Sequence, residues 1–183
     1  MDALEGLPAC PVIAELGVFA GDFSRCLLRA FDPLALFLVD PWTAGRTSAP
    51  LEERACEGGQ LWGFVRETVG QDPRVHVMRM TFASYLISTP DESLDMVYLC
   101  GSHVSERRLR VTLELASKKV RPGGYVATCD CEALESAAAE FGAENTWSVR
   151  RMEVAGRLST VLRRPEERED LKGRSLQGLR DSE

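Results

Sequence analysis

The sequence predicts an α/β fold in which a doubly wound, mostly parallel sheet ends in an antiparallel hairpin. Short apolar runs, typical of buried strands, alternate with longer segments whose apolar residues recur at helical spacing. Five such β/α units follow one another between residues 12 and 141, and alternation of this kind pairs the strands in parallel. Two further apolar segments, 147–154 and 158–162, flank Gly156, which suits a hairpin turn.

The boundaries of these elements follow from breaker residues and from the apolar spacing. Asp22 is expected to cap the first helix, and Asp32-Pro33 to end it. Arg121-Pro122-Gly123-Gly124 is predicted to be a turn that precedes the fifth strand. The predicted strands are 12–16, 35–39, 74–79, 94–99 and 125–129, and the predicted helices are 22–31, 52–69, 82–86, 106–120 and 132–141.

Length and composition limit the class of protein. The 183 residues fit one domain, which we place at 12–164 between a lead-in (1–11) and a charged, flexible tail (165–183). A net charge of −6 argues against a nucleic-acid partner, and no apolar run reaches the ~20 residues of a membrane span. The short acidic start is unlike a signal peptide, and the six cysteines show no Cys-x-x-Cys spacing. We therefore expect a cytoplasmic protein with reduced thiols.

The stretch from Val12 to Ser24 contains the most informative motif. An apolar run ends in Glu15, two glycines follow at Gly17 and Gly21, and a helix opens at once. Glycine lets a backbone come close to a ligand, and a helix start presents free N–H groups, so a nucleotide-type cofactor is expected here. The spacing differs from Gly-x-Gly-x-x-Gly, which argues against a nicotinamide enzyme.

A second acid, Asp40, ends the next apolar run, where a carboxylate can accept hydrogen bonds from both ribose hydroxyls. With Ala-Glu-Leu-Gly-Val-Phe-Ala-Gly-Asp-Phe-Ser at 14–24 and Leu-Val-Asp-Pro-Trp at 38–42, the sequence resembles class I S-adenosylmethionine (SAM) dependent methyltransferases. The resemblance covers residues 12–163 and is to the branch with small-molecule O-methyltransferases of the macrocin type. It implies a Rossmann-like sheet of seven strands with one reversed, SAM as cofactor, and methyl transfer to a small-molecule hydroxyl.

The resemblance also implies roles for individual residues. The backbone of the glycine loop would lie against the methionine part of SAM, Asp40 would hold the ribose, and Glu15 would accept from loop donors or from the SAM ammonium group. Trp42 packs near the adenine, closes over the pocket or anchors a surface loop, and Phe82 either stacks on the base or packs in the core. The implied cofactor-binding set is Glu15, Gly17, Val18, Phe19, Gly21, Asp40, Pro41, Trp42, Thr81, Phe82 and Cys100.

The segment after the fourth strand departs from the family. Related proteins typically read Asp-Gly-Asp-His there, whereas this chain reads Cys100-Gly101-Ser102-His103. Hard cations prefer oxygen ligands, so we expect no metal site. His103 is the candidate general base for a hydroxyl acceptor, with a helix cap or a loop contact as the alternative.

Three thiols follow the fourth and fifth strands and suggest a second hypothesis. Cys100, Cys129 and Cys131 would leave neighbouring strands at one edge, where they could bind a soft metal or metalloid, or where one could be an acceptor or nucleophile. The alternative is that they pack as small hydrophobic residues.

The covering of the acceptor site is the remaining question. Few residues precede the first strand, so cover would come from residues 43–59, from a second subunit in a homodimer, or be absent. An open cleft leaves another interpretation in place: a non-catalytic SAM-binding or scaffold protein of the same fold, or one that uses SAM for a different reaction.

Overall fold

One sheet of seven strands, in the order β3-β2-β1-β4-β5-β7-β6, carries the fold. The computed structural model describes residues 4–42, 58–100, 106–129 and 131–166. The strands are β1 Val12–Leu16, β2 Ala35–Val39, β3 Val75–Met78, β4 Leu94–Leu99, β5 Val120–Cys129, β6 Ser148–Val154 and β7 Arg157–Arg163. The helices are α1 Asp22–Phe31, α2 Gly58–Glu67, α3 Phe82–Ser88, α4 Glu106–Lys119 and α5 Glu132–Asn145.

The strand pairings confirm the predicted fold class. Strands β1 to β5 pair in parallel, and β7 is antiparallel to both β5 and β6. The chain moves outward from β1 through β2 to β3 and then returns to place β4 on the other side of β1. A crevice therefore opens beyond the carboxyl ends of β1 and β4, where open α/β sheets bind their ligands.

Two clusters of buried side chains lie on the two faces of the sheet. Every residue of β4 is buried, which explains why this central strand is almost continuously apolar. On one face α1 contributes Phe23 and Leu27, and on the other α5 contributes Leu134 and Phe141. Both faces are thus covered, as a parallel sheet requires.

The start of β5 corrects the sequence prediction. The strand begins at Val120 and includes the Arg121–Gly124 segment that we expected to be a turn before it. Leu94 pairs with Val120 and Met96 with Tyr125, so extra residues of β5 bulge out between these pairs. The turn-forming residues Arg121–Gly124 form this bulge, in which Gly123 has φ 75°.

The ends of α1 and α2 also refine the prediction. Gly21, with φ 81°, is the N-cap of α1 without any side-chain cap, so Asp22 is the first helical residue and not the cap. Asp32 ends the helix as expected, through its N–H bond to the Leu28 carbonyl. Helix α2 is described from Gly58 to Glu67, and the predicted start at 52 lies outside the described residues.

The lead-in packs against the sheet. Leu4 is buried in the cluster on the α1 face, and the Tyr125 hydroxyl donates to the Glu5 carbonyl at 2.6 Å. In the part of the chain that is described, no helix has the length and apolar content needed to cross a bilayer.

Candidate functional site

The loop after β1 is fixed by backbone contacts to both neighbouring strands. The Gly17 N–H donates to the Val39 carbonyl at 2.9 Å, and the Cys100 N–H donates to the Leu16 carbonyl at 2.8 Å. Gly17 has φ 98°, and a Cβ added to it would lie 1.7 Å from the Cys100 carbonyl oxygen. Glycine is therefore required at position 17 because the end of β4 comes so close.

The second glycine of the loop lies against α2. Gly21 has φ 81°, and a Cβ there would lie 3.1 Å from Cγ2 of Val69 and 3.5 Å from Cγ2 of Val65. This glycine lets the loop turn into α1 while it packs against α2 and the short 3-10 helix Val69–Gln71 that follows α2. The two glycines thus shape the loop through contacts with the protein itself.

Asp40 joins the loop to the end of β2. Its side chain is buried, and its Oδ2 accepts from the N–H groups of Val18 at 3.1 Å and Phe19 at 3.2 Å. Its Oδ1 accepts from the Trp42 N–H at 2.8 Å. Hydrogen bonds from amides stabilise a carboxylate that burial would otherwise penalise. The two motifs found separately in the sequence therefore form one site.

Trp42 anchors this site from the side. Its indole N–H donates to the Phe19 carbonyl at 2.9 Å, and the residue is buried despite its left-handed φ of 42°. Trp42 thus holds the loop as an anchor would, while adenine contact and closure over the pocket stay predictions. Half-buried Pro41 precedes it, whereas the Phe19 side chain is 44% exposed at the edge of the site.

We expect Asp40→Asn to destabilise the protein by about 2 to 3 kcal/mol, because an amide cannot accept at both of its polar atoms. Either the two loop N–H groups or the Trp42 N–H then lose their acceptor. Urea unfolding would measure the change. Asp72→Asn is the control: Asp72 also accepts several bonds, from the backbone N–H and the guanidinium of half-buried Arg74, and their loss nearer the surface should cost less. Equal effects of the two substitutions would contradict the assigned role of Asp40.

Glu15 lies inside the protein behind the loop. It is 1% exposed, and the Ser24 hydroxyl donates to its Oε2 at 2.5 Å. Burial raises the pKa of Glu15 to about 8, although the Ser24 hydrogen bond and the charge of Arg157 lower it and the charge of Asp40 raises it further. At neutral pH the protonated form therefore predominates. The predicted contact with the SAM ammonium group stays a prediction.

The corner between β3 and α3 lies beside the loop. Thr81 caps α3 by accepting from the Ser84 N–H at 3.1 Å. Half-buried Phe82 packs on the α4 and α5 core cluster, and its ring carbon Cζ lies 3.5 Å from the position of a Cβ on Gly17. Phe82 thus packs on the core and also lies next to the glycine loop, and its stacking on the adenine stays a prediction.

The thiols after β4 and β5 form a pair and not a triad. A hydrogen bond between the Cys100 and Cys129 thiols, together with burial, raises the pKa of Cys100 well above its usual range. Cys131 packs into the cluster on the opposite face from Cys100. Across the described ranges no three acidic, histidine or cysteine side chains are grouped to hold a metal ion, so the three-thiol hypothesis fails there.

Some predicted residues fall outside the structure that is described. Ser102 and His103 belong to this group, as do residues 43–57. The role of His103 as a general base and that of residues 43–59 as a cover remain predictions.

A group of polar residues near the carboxyl end of β4 was not predicted from the sequence. The Tyr98 and Ser159 hydroxyls lie 3.3 Å apart, and the Tyr98 ring packs on Phe23 with centroids 4.2 Å apart. The Arg157 guanidinium lies 4.6 Å from the Phe23 ring centroid. The alternation of β4 offered one signal, because it places Tyr98 on the same face as Cys100.

Comparisons with known proteins agree with this geometry. A family model described as "Methyltransferase domain" matches residues 14–131, which include the loop, Asp40 and Cys100. No curated protein matches the chain significantly.

Several solved structures share the fold. The O-methyltransferase NovP is 19% identical, with a TM-score of 0.60 over 87% of this chain and 73% of that chain. The precorrin-6y C5,15-methyltransferase from Geobacter metallireducens is 14% identical, with a TM-score of 0.62 over 89% and 84%. The N-methyltransferase NodS from Bradyrhizobium japonicum is 14% identical, with a TM-score of 0.56 over 86% and 88%. Their different activities show that the fold alone does not select an acceptor.

Proposed function

The chain belongs to this family of methyltransferase domains and is a SAM-dependent methyltransferase, and from this premise we propose that it methylates a small-molecule hydroxyl without a metal ion. The observation that carries the proposal is the contact between the Asp40 carboxylate and the Val18 and Phe19 amides. This contact joins the glycine loop to the acid that ends β2, at the carboxyl edge of the sheet, where open α/β sheets bind their ligands.

The hydrogen-bonding groups of the glycine loop and Asp40 suit SAM. The Asp40 oxygens accept from the amides of Val18, Phe19 and Trp42, and each carboxylate oxygen can accept more than one hydrogen bond. Ribose hydroxyls would share these oxygens or replace the longest contact, that with Phe19. Gly17, Val18 and Phe19 would hold the methionine part, and Thr81 and Phe82 would meet the adenine. SAM supplies an electrophilic methyl group, and the protein contributes chiefly by aligning the acceptor with it.

The acceptor side of the proposal depends on the end of β4. His103, three residues after Cys100, would take the proton from the acceptor hydroxyl. At the described ends of β4 and β5 lie the Cys100 and Cys129 thiols, which are soft donors that Mg²⁺ disfavours. This donor set supports a metal-independent reaction. The net charge of −6 supports a small-molecule acceptor and not a nucleic acid, and a second subunit is a candidate cover.

The ribose contact can be tested from the ligand side, so that no variant disturbs the loop. We expect calorimetric titration to show that S-adenosylhomocysteine (SAH) binds, and that its 2′-deoxyribose analogue binds about tenfold more weakly. Equal affinities would contradict a ribose contact, and no binding of SAH would contradict the site itself.

The transfer step needs its own assay. We expect SAM with a labelled methyl group to label a compound in the dialysable fraction of a cell extract, with the same yield when EDTA is added. His103→Gln should reduce the labelling and leave SAH affinity unchanged. A yield that falls with EDTA and recovers with Mg²⁺ would contradict metal independence.

A further inference from the structure

Arg157 lies at the same edge of the sheet as the glycine loop. It is the first residue of β7, and because Ser159 pairs with Cys129 in the antiparallel ladder, Arg157 extends beyond the end of β5. Its guanidinium lies 4.6 Å from the Phe23 ring centroid, and Phe23 is in the first turn of α1. The hairpin therefore holds a cation directly over the start of the helix that follows the loop.

Arg157 carries a positive charge that no acidic side chain among the described residues neutralises. Within the described ranges, none of the ion pairs includes it. Glu15 is close enough for Arg157 to oppose the rise of its pKa, yet burial keeps that carboxyl protonated at neutral pH. Arg157 is exposed, so its N–H donors can reach a ligand. A guanidinium of this kind suits the two oxygens of a carboxylate.

We propose that Arg157 binds a carboxylate of the bound ligands, either that of the SAM methionine part or one on the acceptor. The inference rests on the proposed function, because it takes SAM to bind at this edge. Residue 157 lies outside the 14–131 segment that the family model matches, so the contact would be supplied by the C-terminal hairpin. Arg157 acts here in binding and orientation and takes no part in proton transfer.

The first test compares SAH with its analogue that lacks only the carboxylate, by calorimetry on the full chain. If the methionine carboxylate is the partner, the wild type should prefer SAH by about tenfold or more, and Arg157→Gln should lose this preference. Arg157→Lys should restore part of it. Arg150→Gln is the matched control, because Arg150 is an exposed arginine of the same hairpin whose charge acts on Tyr125 and not on Glu15.

The second test addresses the acceptor. Protein saturated with SAH is titrated with benzoate as a simple carboxylate probe. If the acceptor supplies the carboxylate, benzoate should bind the wild type and Arg150→Gln but not Arg157→Gln, whose preference for SAH should match that of the wild type.

The outcomes separate the two proposals. In one outcome the protein binds SAH, but Arg157→Gln changes neither the preference for SAH nor the binding of benzoate. This result overturns the role of Arg157 and leaves the proposed function intact. Failure of the wild type to bind SAH overturns both.

Discussion

Replacement of Gly17 by alanine is expected to lower the free energy of unfolding by at least about 4 kcal/mol, through backbone strain combined with overpacking. The new Cβ would lie 1.7 Å from the Cys100 carbonyl oxygen and 2.8 Å from its carbonyl carbon, at a φ of 98°. Because both neighbours are backbone atoms, no side chain can move away to relieve the clash. Strands β1 and β4 would have to separate at the edge where SAM is proposed to bind.

Urea unfolding would measure this loss, with Gly63→Ala as the matched control. Gly63 lies within α2, and a Cβ added there meets no atom within 4 Å. That substitution should raise stability by about 0.5 to 1 kcal/mol, because alanine is the better helix former. A Gly17→Ala protein as stable as the wild type would show that the loop does not pack on Cys100.

The second large effect is expected from pH. Because the pKa of Glu15 is about 8 in the folded protein and 4.5 in the unfolded chain, the folded state holds the proton more tightly. The resulting stabilisation is complete below pH 4.5 and is lost as the pH rises to about 8. Relative to Glu15→Gln, the wild type should therefore lose roughly 4 kcal/mol across this window.

Urea unfolding of both proteins at a series of pH values would test this expectation. Ser24→Ala provides an independent check, since it removes the hydrogen bond that lowers the pKa of Glu15. In that variant the loss of stability on ionisation of Glu15 should extend to higher pH. Parallel stability curves for the wild type and Glu15→Gln would contradict the protonated state of Glu15.

The sequence predicted most elements because local signals and tertiary structure agree there. The bounds of β1, α1, β2 and β4 are the predicted ones, since each is a clear apolar pattern next to a breaker residue. The start of β5 failed because Arg121-Pro122-Gly123-Gly124 is typical of a turn, whereas pairing with β4 retains it within the strand as a bulge. That outcome depends on a partner distant in the chain, which the local pattern does not contain.

The site was predictable in its position and not in its hydrogen bonding. Parallel strands bring their carboxyl ends together, which is why Asp40 was expected near the glycine loop. The sequence could not show that the Asp40 oxygens accept from three amides, because this depends on the exact path of the loop. Arg157 was missed for a related reason: it lies in a hairpin whose register with β5 sets its position.

The order of the strands leaves β3 and β6 at the two margins of the sheet. Such margins can recruit a strand from another molecule and so begin aggregation. Here β3 is only 4 residues long, and β6 carries the adjacent charges of Arg150 and Arg151 at its middle. Both properties discourage strand addition, so two copies of this protein that associate would do so through helices or loops and not through one continuous sheet.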